Sequence, residues 1–416
     1  MSAGPAAETV SRAEAGLPPL RRDRSVQAWV AARGLSDAGD TIWSVALAWT
    51  AVTMAGPAAA GLLVGLSTLP RAVFTLAGGV LADRWETRRV VVLANVARVV
   101  VHVGGIVSLT LLPHRTFATL VVVTVLFGIA DAVHNPASST MARQMVAAED
   151  LRPLMGTFQT VSRLARLAGA PIGGALVAAF DVRAAMLVDA LSFVVIGAVY
   201  AVVLHPRFPR TLGAGASWRG DLAAGLRYVA RTPAVRTLLV SFAGLNLFVS
   251  PAIAVGIALR VAHEGWGAHT LGVMEACVGA GAAAGALVSV RWDPLRPALV
   301  AFVILVLQGF GIVAFGFGGQ LFLGAAATFV GITAGGASAY LSAIFVLTVD
   351  SAFFGRASSV AALFDDAMMP AAMAGFGALS GATSVTTACV IAGLSMSAMC
   401  TWSGVRMAGV RRPNAV

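Results

Sequence analysis

Apolar runs of bilayer length recur from one end of this chain to the other, and that recurrence limits the fold more than any single motif. Inside hydrocarbon every backbone amide must find its partner within the protein, so a spanning segment is a helix or a strand of a closed barrel. A helix needs about 20 largely apolar residues to cross, a barrel strand about 10 alternating ones. The runs here are of the first kind, and no alternating strands accompany them. The chain therefore reads as an all-α polytopic membrane protein. Composition agrees: 58% of its 416 residues are hydrophobic and 12% charged, with a mean hydropathy of +0.84. Soluble domains carry roughly 25% charged residues.

Spans are expected near 34–54, 58–82, 90–112, 117–141, 154–179 and 184–204, and again near 235–258, 268–290, 297–317, 320–348, 357–380 and 385–406. That makes about twelve transmembrane helices. The corresponding organisation is a disordered cytoplasmic tail (1–25), an N-terminal six-helix bundle (26–204), a cytoplasmic linker (205–233), a C-terminal six-helix bundle (234–408) and a short cytoplasmic tail (409–416). The polar, Pro-containing first segment has no apolar stretch of the kind a cleaved signal peptide needs. Within the linker, Asp221 to Arg231 reads as an amphipathic helix lying on the membrane surface.

All 29 basic residues are arginine and the net charge is +10. In a soluble protein that excess would point to nucleic acid, but here arginine sorts by loop. Arg21, Arg22, Arg24 and Arg33 precede the first span, Arg84, Arg88 and Arg89 follow the second, and Arg143 and Arg152 follow the fourth. Arg207, Arg210, Arg219, Arg227, Arg231 and Arg236 follow the sixth, Arg291 and Arg296 the eighth, Arg356 the tenth, and Arg406, Arg411 and Arg412 the last. The alternate loops hold only Arg115, Arg183 and Arg260. The bias puts both termini in the cytoplasm. Arginine in place of lysine, with much Ala, Gly and Val, suggests a GC-rich bacterial gene and hence the bacterial cytoplasmic membrane. The lipid bilayer is thus the expected partner of the basic loops, and nucleic acid is not. Cys277, Cys389 and Cys400 all lie in apolar runs without metal-ligand spacing, so neither a disulfide nor a metal is expected.

Two loops share a pattern. GGVLADRWETRR begins at Gly78, and GALVSVRWDPLR begins at Gly285, an offset of 207 residues. Laid together they repeat the leading Gly, the Arg-Trp pair followed by an acid, and the final Arg, but Val290 stands opposite Asp83. The same offset carries the first span onto the seventh and the fourth onto the tenth. Two six-helix halves in the same orientation form a parallel repeat, a layout of transporters with alternating access. Glycine pairs such as Gly61/Gly65 and Gly169/Gly173, and the Gly279/Gly281/Gly285 set, suit close helix approach.

GGVLADRWETRR resembles the signature loop of the major facilitator superfamily, which reads roughly G-x-L-a-D-r-x-g-r-r. Gly79, Leu81, Asp83, Arg84, Arg88 and Arg89 fill its places, while Glu86 and Thr87 depart from the usual small residue. Over residues 26 to 410 the chain is also similar to the bacterial exporter branch that includes enterobactin exporters and macrolide efflux proteins. Gly39-Asp40, Asn135-Pro136-Ala137, DLAAGLRYVARTPAVR and Gly355-Arg356 carry that similarity. The resemblance implies a gating loop. Asp83 would face the start of the eleventh span near Arg356 to Ser358, where the helix dipole favours an anion. Its arginines would pair with neighbouring acids, and the latch would hold the cytoplasmic side closed. Setting topology alone is the other role open to these arginines. LARLAGAPIGGAL, with Pro171, Gly173 and Gly174, resembles the Gly-Pro bend of proton antiporters, although Ala170 replaces a glycine.

Ionisable groups within spans mark function or internal pairing. Arg71, Asp131, Arg163, Arg166, Asp365 and Asp366 fall near the midplane, with Asp40, Arg98 and Glu275 shallower. Asp37 and Asp189 fall close enough to an interface to suit a solvated, structural role. Arg163 and Arg166 share a helical face. With Arg71 they are available to pair with Asp40 and Asp131, as permanent ion pairs or as coupling carboxylates. Burial favours the protonated acid and a nearby Arg the charged one, so movement of the Arg would switch proton affinity. His134, one turn from Asp131, is placed to relay a proton. Glu275, Asp365, Asp366 and Arg71 are the candidates for contacting substrate in the cavity, and their mixed signs leave its charge open.

The expected function is export of a small molecule from the cytoplasm by a monomeric transporter exchanging it for protons, with uptake or facilitated diffusion as the alternative. A membrane-embedded enzyme or a channel is the reading from another class. No nucleophile–base set or phosphate loop supports an enzyme, and no cofactor is expected.

Overall fold

A continuous helix of 61 residues would be about 90 Å long, three times the hydrocarbon thickness, and helix α1 (Arg24–Arg84) has that many residues. It is two arms rather than one rod. Gly56 has φ 74° and ψ 175°, a backbone state essentially reserved for glycine. Pro57 then opens the second arm, where its missing N–H costs nothing. The computed structural model describes residues 12, 14, 16–209, 218–292, 294–350 and 353–407. Within its helices the side chains of residues 71–72, 75–84, 218–219 and 221–222 lie outside that description.

Every regular element among the described residues is helical. After α1 come α2 (Thr87–Leu111), α3 (Thr116–Met145), α4 (Ala148–Phe180) and α5 (Val182–Ala198), the last prolonged by a π-helical turn, Val199–Val203. Next are α6 (Trp218–Arg231), α7 (Pro233–Gly244), two π-helical turns (Leu245–Val249 and Ala252–Gly256) and α8 (Ile257–His263). The remainder is α9 (Ala268–Arg291), α10 (Pro297–Ala314), α11 (Gln320–Thr348), α12 (Phe354–Ala382) and α13 (Val385–Met407). Shifted by 207 residues, the starts of α2, α3, α4 and α5 fall within about one helical turn of those of α10, α11, α12 and α13. Among the described residues, 10 stretches are long and apolar enough to cross a membrane. The one that begins the chain, Arg24–Pro70, has 47 residues and contains the break at Gly56.

The chain divides into two compact units, one of Met1–Trp43, Val73–Gly169 and Arg183–Gly213, the other of Ser44–Ala72, Ala170–Val182 and Ala214–Val416. The division does not follow the sequence halves. In the first unit α2 packs along α3, and a core forms around Trp29, Met141, Met145, Phe193 and Tyr200. The Trp29 indole N–H donates to the Tyr200 hydroxyl (3.0 Å), which also pairs with Ser138 (2.8 Å). In the second unit α9 packs along α11 and α10 along α13. Leu111, Val202 and Leu321 stay largely exposed, as side chains facing lipid tails would.

The linker helix α6 packs on the start of α12. A Cβ on Gly225 would stand 3.0 Å from the Arg356 carbonyl oxygen. The Tyr228 ring stacks on Phe353 at 4.6 Å, and its hydroxyl accepts the Asp350 N–H at 2.9 Å.

Candidate functional site

Helix α2 buries one stripe, and that stripe carries Asn95, Arg98 and His102, spaced so that all three share a face. α3 brings Asp131, His134 and Asn135 to the same region, α5 brings Asp189 and Ser192, and the first arm of α1 brings Gly39 and Asp40. Arg98, only 2% exposed, is an ion-pair partner of Asp131, donating from Nη2 to Oδ1. The second Asp131 oxygen accepts from Asn135 Nδ2 at 3.0 Å. Beyond the carboxylate, the guanidinium lies over the Phe193 ring (5.0 Å) and the Phe127 ring (5.7 Å), contacts that help offset its loss of hydration.

A second pair stands beside the first. His102 Nε2 is 3.1 Å from Asp189 Oδ2, and both side chains are fully buried. His102 is ringed edge-on by Trp43, Phe127 and Phe193, with centroids 5.3, 5.2 and 5.7 Å away. Asp40 is half-buried and within electrostatic reach of Asp189, Arg98 and Asp131. The cluster thus holds three carboxylates against one arginine. Its neutrality depends on protons, because burying uncompensated charge is costly.

Several sequence expectations take a different form here. Arg98, rather than Arg163 or Arg166, is the partner of Asp131. Arg163 and Arg166 are exposed, the latter donating to the Ser162 carbonyl at 3.4 Å. Asp189 is wholly buried rather than solvated. Asp37 is held by Arg33 (3.5 Å) and by the Ser162 hydroxyl. His134 is buried with its ring edge-on to Tyr200 at 6.1 Å. His102 is a site residue that the sequence reading misses, although its position one turn beyond Arg98 is an available signal.

In the gating loop, Gly79 and the side chains of Asp83 and Arg84 lie outside what is described, as does the side chain of the cavity candidate Arg71. Arg89 pairs with Glu86 at 2.6 Å. Arg88 finds no acid among the described residues; it donates to the carbonyls of Tyr200 (3.0 Å) and Ala201 in the π-helical turn after α5. Arg356 lies 5.5 Å over the Phe353 ring. In the second unit, Glu275 is half-buried on α9. Asp365 lies near Asn246 on the π-helical turn after α7, and the Asn246 side-chain oxygen accepts from Ser250 at 3.3 Å. Asp366 is half-buried beside it. Among the described residues no group of His, Cys, Asp and Glu is arranged to hold a metal.

The sequence profile of the Major Facilitator Superfamily matches residues 30–373. No curated protein sequence matches the chain. Among solved structures, a point mutant of the nucleoside transporter NupG superposes with a TM-score of 0.72 at 13% identity, over 91% of this chain and 99% of that one. A bacterial homologue of the iron transporter ferroportin, in an inward-facing state, gives 0.72 at 13% identity over 92% and 98%. A D-xylose–proton symporter gives 0.64 at 11% identity over 89% and 96%. At such identities the likeness concerns the fold.

Proposed function

Because the chain belongs to the major facilitator superfamily, we propose that it is a secondary active transporter that exports a small molecule such as a drug, secondary metabolite or siderophore, in exchange for protons. The observation that carries proton coupling is the buried cluster of Asp40, Arg98 and Asp131. Asp40 and Asp131 are its coupling carboxylates, protonated when the arginine withdraws and ionised when it returns. Glu275, Asp365 and Asp366 are the candidate substrate contacts. The break at Gly56 and the 29-residue α12 support twelve spans in place of the 10 stretches identified by length and hydropathy. The arginine bias supports cytoplasmic termini in a bacterial inner membrane, and we take the working form as a monomer.

Proteoliposomes with an imposed pH gradient test this reading. Efflux of a responsive compound, drawn from a panel of hydrophobic drugs and siderophores, should follow the gradient. It should fall at least about tenfold in Asp40→Asn or Asp131→Asn, the effect usual for a lost proton-transfer group. Full gradient dependence in both variants would remove the coupling assignment. Uptake is the second reading, favoured by the nucleoside transporter and the D-xylose–proton symporter among the similar folds. It predicts accumulation on the alkaline side, in the direction of proton flow.

A further inference from the structure

The Arg98–Asp131 pair leaves a second buried pair without a task. His102 Nε2 and Asp189 Oδ2 face each other at 3.1 Å, yet neither atom has a hydrogen-bond partner among the described residues. The other ring nitrogen decides what that contact means. Nδ1 lies 3.1 Å from the Arg98 carbonyl oxygen. A carbonyl only accepts, so Nδ1 carries a hydrogen and donates it. Nε2 then presents a lone pair unless one more proton is bound. A bare Nε2 against a carboxylate would set two acceptors face to face with no water to part them, at the cost of an unmade buried hydrogen bond. One proton, on either Nε2 or Oδ2, turns the conflict into a hydrogen bond.

We propose that His102 and Asp189 form a one-proton binding site, separate from the Arg98–Asp131 pair, whose occupancy sets the packing of the first arm of α1 on α5. The arm rests on both members. A Cβ on Gly39 would be 2.5 Å from Asp189 Oδ1 and 2.6 Å from the Ser192 hydroxyl, and the Trp43 ring is 5.3 Å from that of His102. Ser192 Oγ donates to the Asp189 backbone oxygen at 2.7 Å and to Oδ1 at 3.4 Å. A carboxylate turning away from a deprotonated Nε2 therefore turns into Gly39. The charged groups within electrostatic reach of Asp189, besides His102, are Asp40 from α1 and Arg98 from α2.

The inference rests on the proton-coupled reading for its purpose, and its test involves no transport. The full chain, labelled with nitrogen-15 histidine and embedded in lipid nanodiscs, is followed by NMR across a stepped pH series. The loss of one signal in His102→Gln assigns His102. Its Nδ1 should stay protonated throughout, and Nε2 should titrate in one step. In Asp189→Asn the amide can donate to Nε2, and the titration should vanish. An unprotonated Nδ1, or a titration unchanged in Asp189→Asn, overturns the site. Spin labels at lipid-facing Leu35 and Leu191, in a chain with Cys277, Cys389 and Cys400 replaced by alanine, report the packing. Their separation should change across the same pH step in the parent and stay constant in Asp189→Asn. A separation that ignores the step overturns the link to α1. Failure of gradient-driven export would alter neither measurement.

Discussion

At the scale of single residues, Arg98 decides whether the first unit tolerates its own acids. Removing it takes from the buried Asp131 its guanidinium partner, and breaking one side of a buried ion pair typically costs about 3–5 kcal/mol. Arg98→Ala should therefore lower the thermal unfolding midpoint in detergent sharply. Arg98→Met combined with Asp131→Leu should recover most of the loss, since an apolar pair of similar volume carries no stranded charge. Equal stability of the single and double variants would mean that the pair is not buried as described. The sequence made Asp131 and its need for an arginine legible, but not which arginine. Counting residues into a span measures depth along the membrane normal, whereas pairing depends on which helix faces meet. Asp189 illustrates the same point, since it enters α5 only about 10 Å past Val182 and is fully covered all the same. His102 raised no alarm because a single histidine in an apolar run carries no obligatory charge to be paired.

At the scale of elements, the helix ends near 111 and 145 were legible because apolar runs stop there, while the three π-helical turns were not. A π turn accommodates one extra residue within a helix, and no composition distinguishes it. Tertiary partners such as the Arg88 donations to Tyr200 and Ala201 sit on one of them. The start of α1 shows a second feature hidden from composition. Asp23 accepts from the backbone N–H groups of Ser25 (3.0 Å) and Val26 (3.4 Å), capping the helix, and it pairs with Arg207 beyond α5. Burial alone would raise its pKa, but hydrogen bonds from Arg207 and Ser25 and the guanidinium charge outweigh it, and the value drops to about 2. A carboxyl depressed on folding stabilises the fold above its unfolded pKa of about 3.9. That contribution, about 2 kcal/mol, is lost as pH falls through the folded value. Asp23→Asn should thus unfold at lower temperature than the parent at pH 7, and the difference should close between about pH 4 and 2. A gap that persists undiminished to pH 2 would show that the charge is not what matters.

At the scale of the whole molecule, the two-half repeat was legible from one pair of loops, but the packing units were not. The second arm of α1 and the end of α4 belong with the C-terminal residues, because glycines let their backbones approach helices from the other half. A Cβ on Gly61 would stand 2.5 Å from the Met373 carbonyl oxygen, and one on Gly377 would stand 2.6 Å from that of Pro57. Gly174 against Ala268, and Gly272 against Ala170, repeat the arrangement at 2.6 and 2.5 Å. Glycines in the first half and in the second thus answer each other, though nothing in either half announces its partner. The consequence is testable by cutting the chain in its linker and coexpressing residues 1–212 with 213–416. The fragments should copurify, since two backbone crossings tie them. Leucine at both Gly61 and Gly174 overpacks each crossing at about 1–3 kcal/mol. The recovered complex should then fall at least about tenfold, the change that 1.4 kcal/mol makes in an association equilibrium. Leucine at Gly104 and Gly156, where a side chain meets open space, should leave recovery unchanged and control for expression. If the Gly61/Gly174 leucine variant copurifies as well as the Gly104/Gly156 control, these crossings are not what joins the halves.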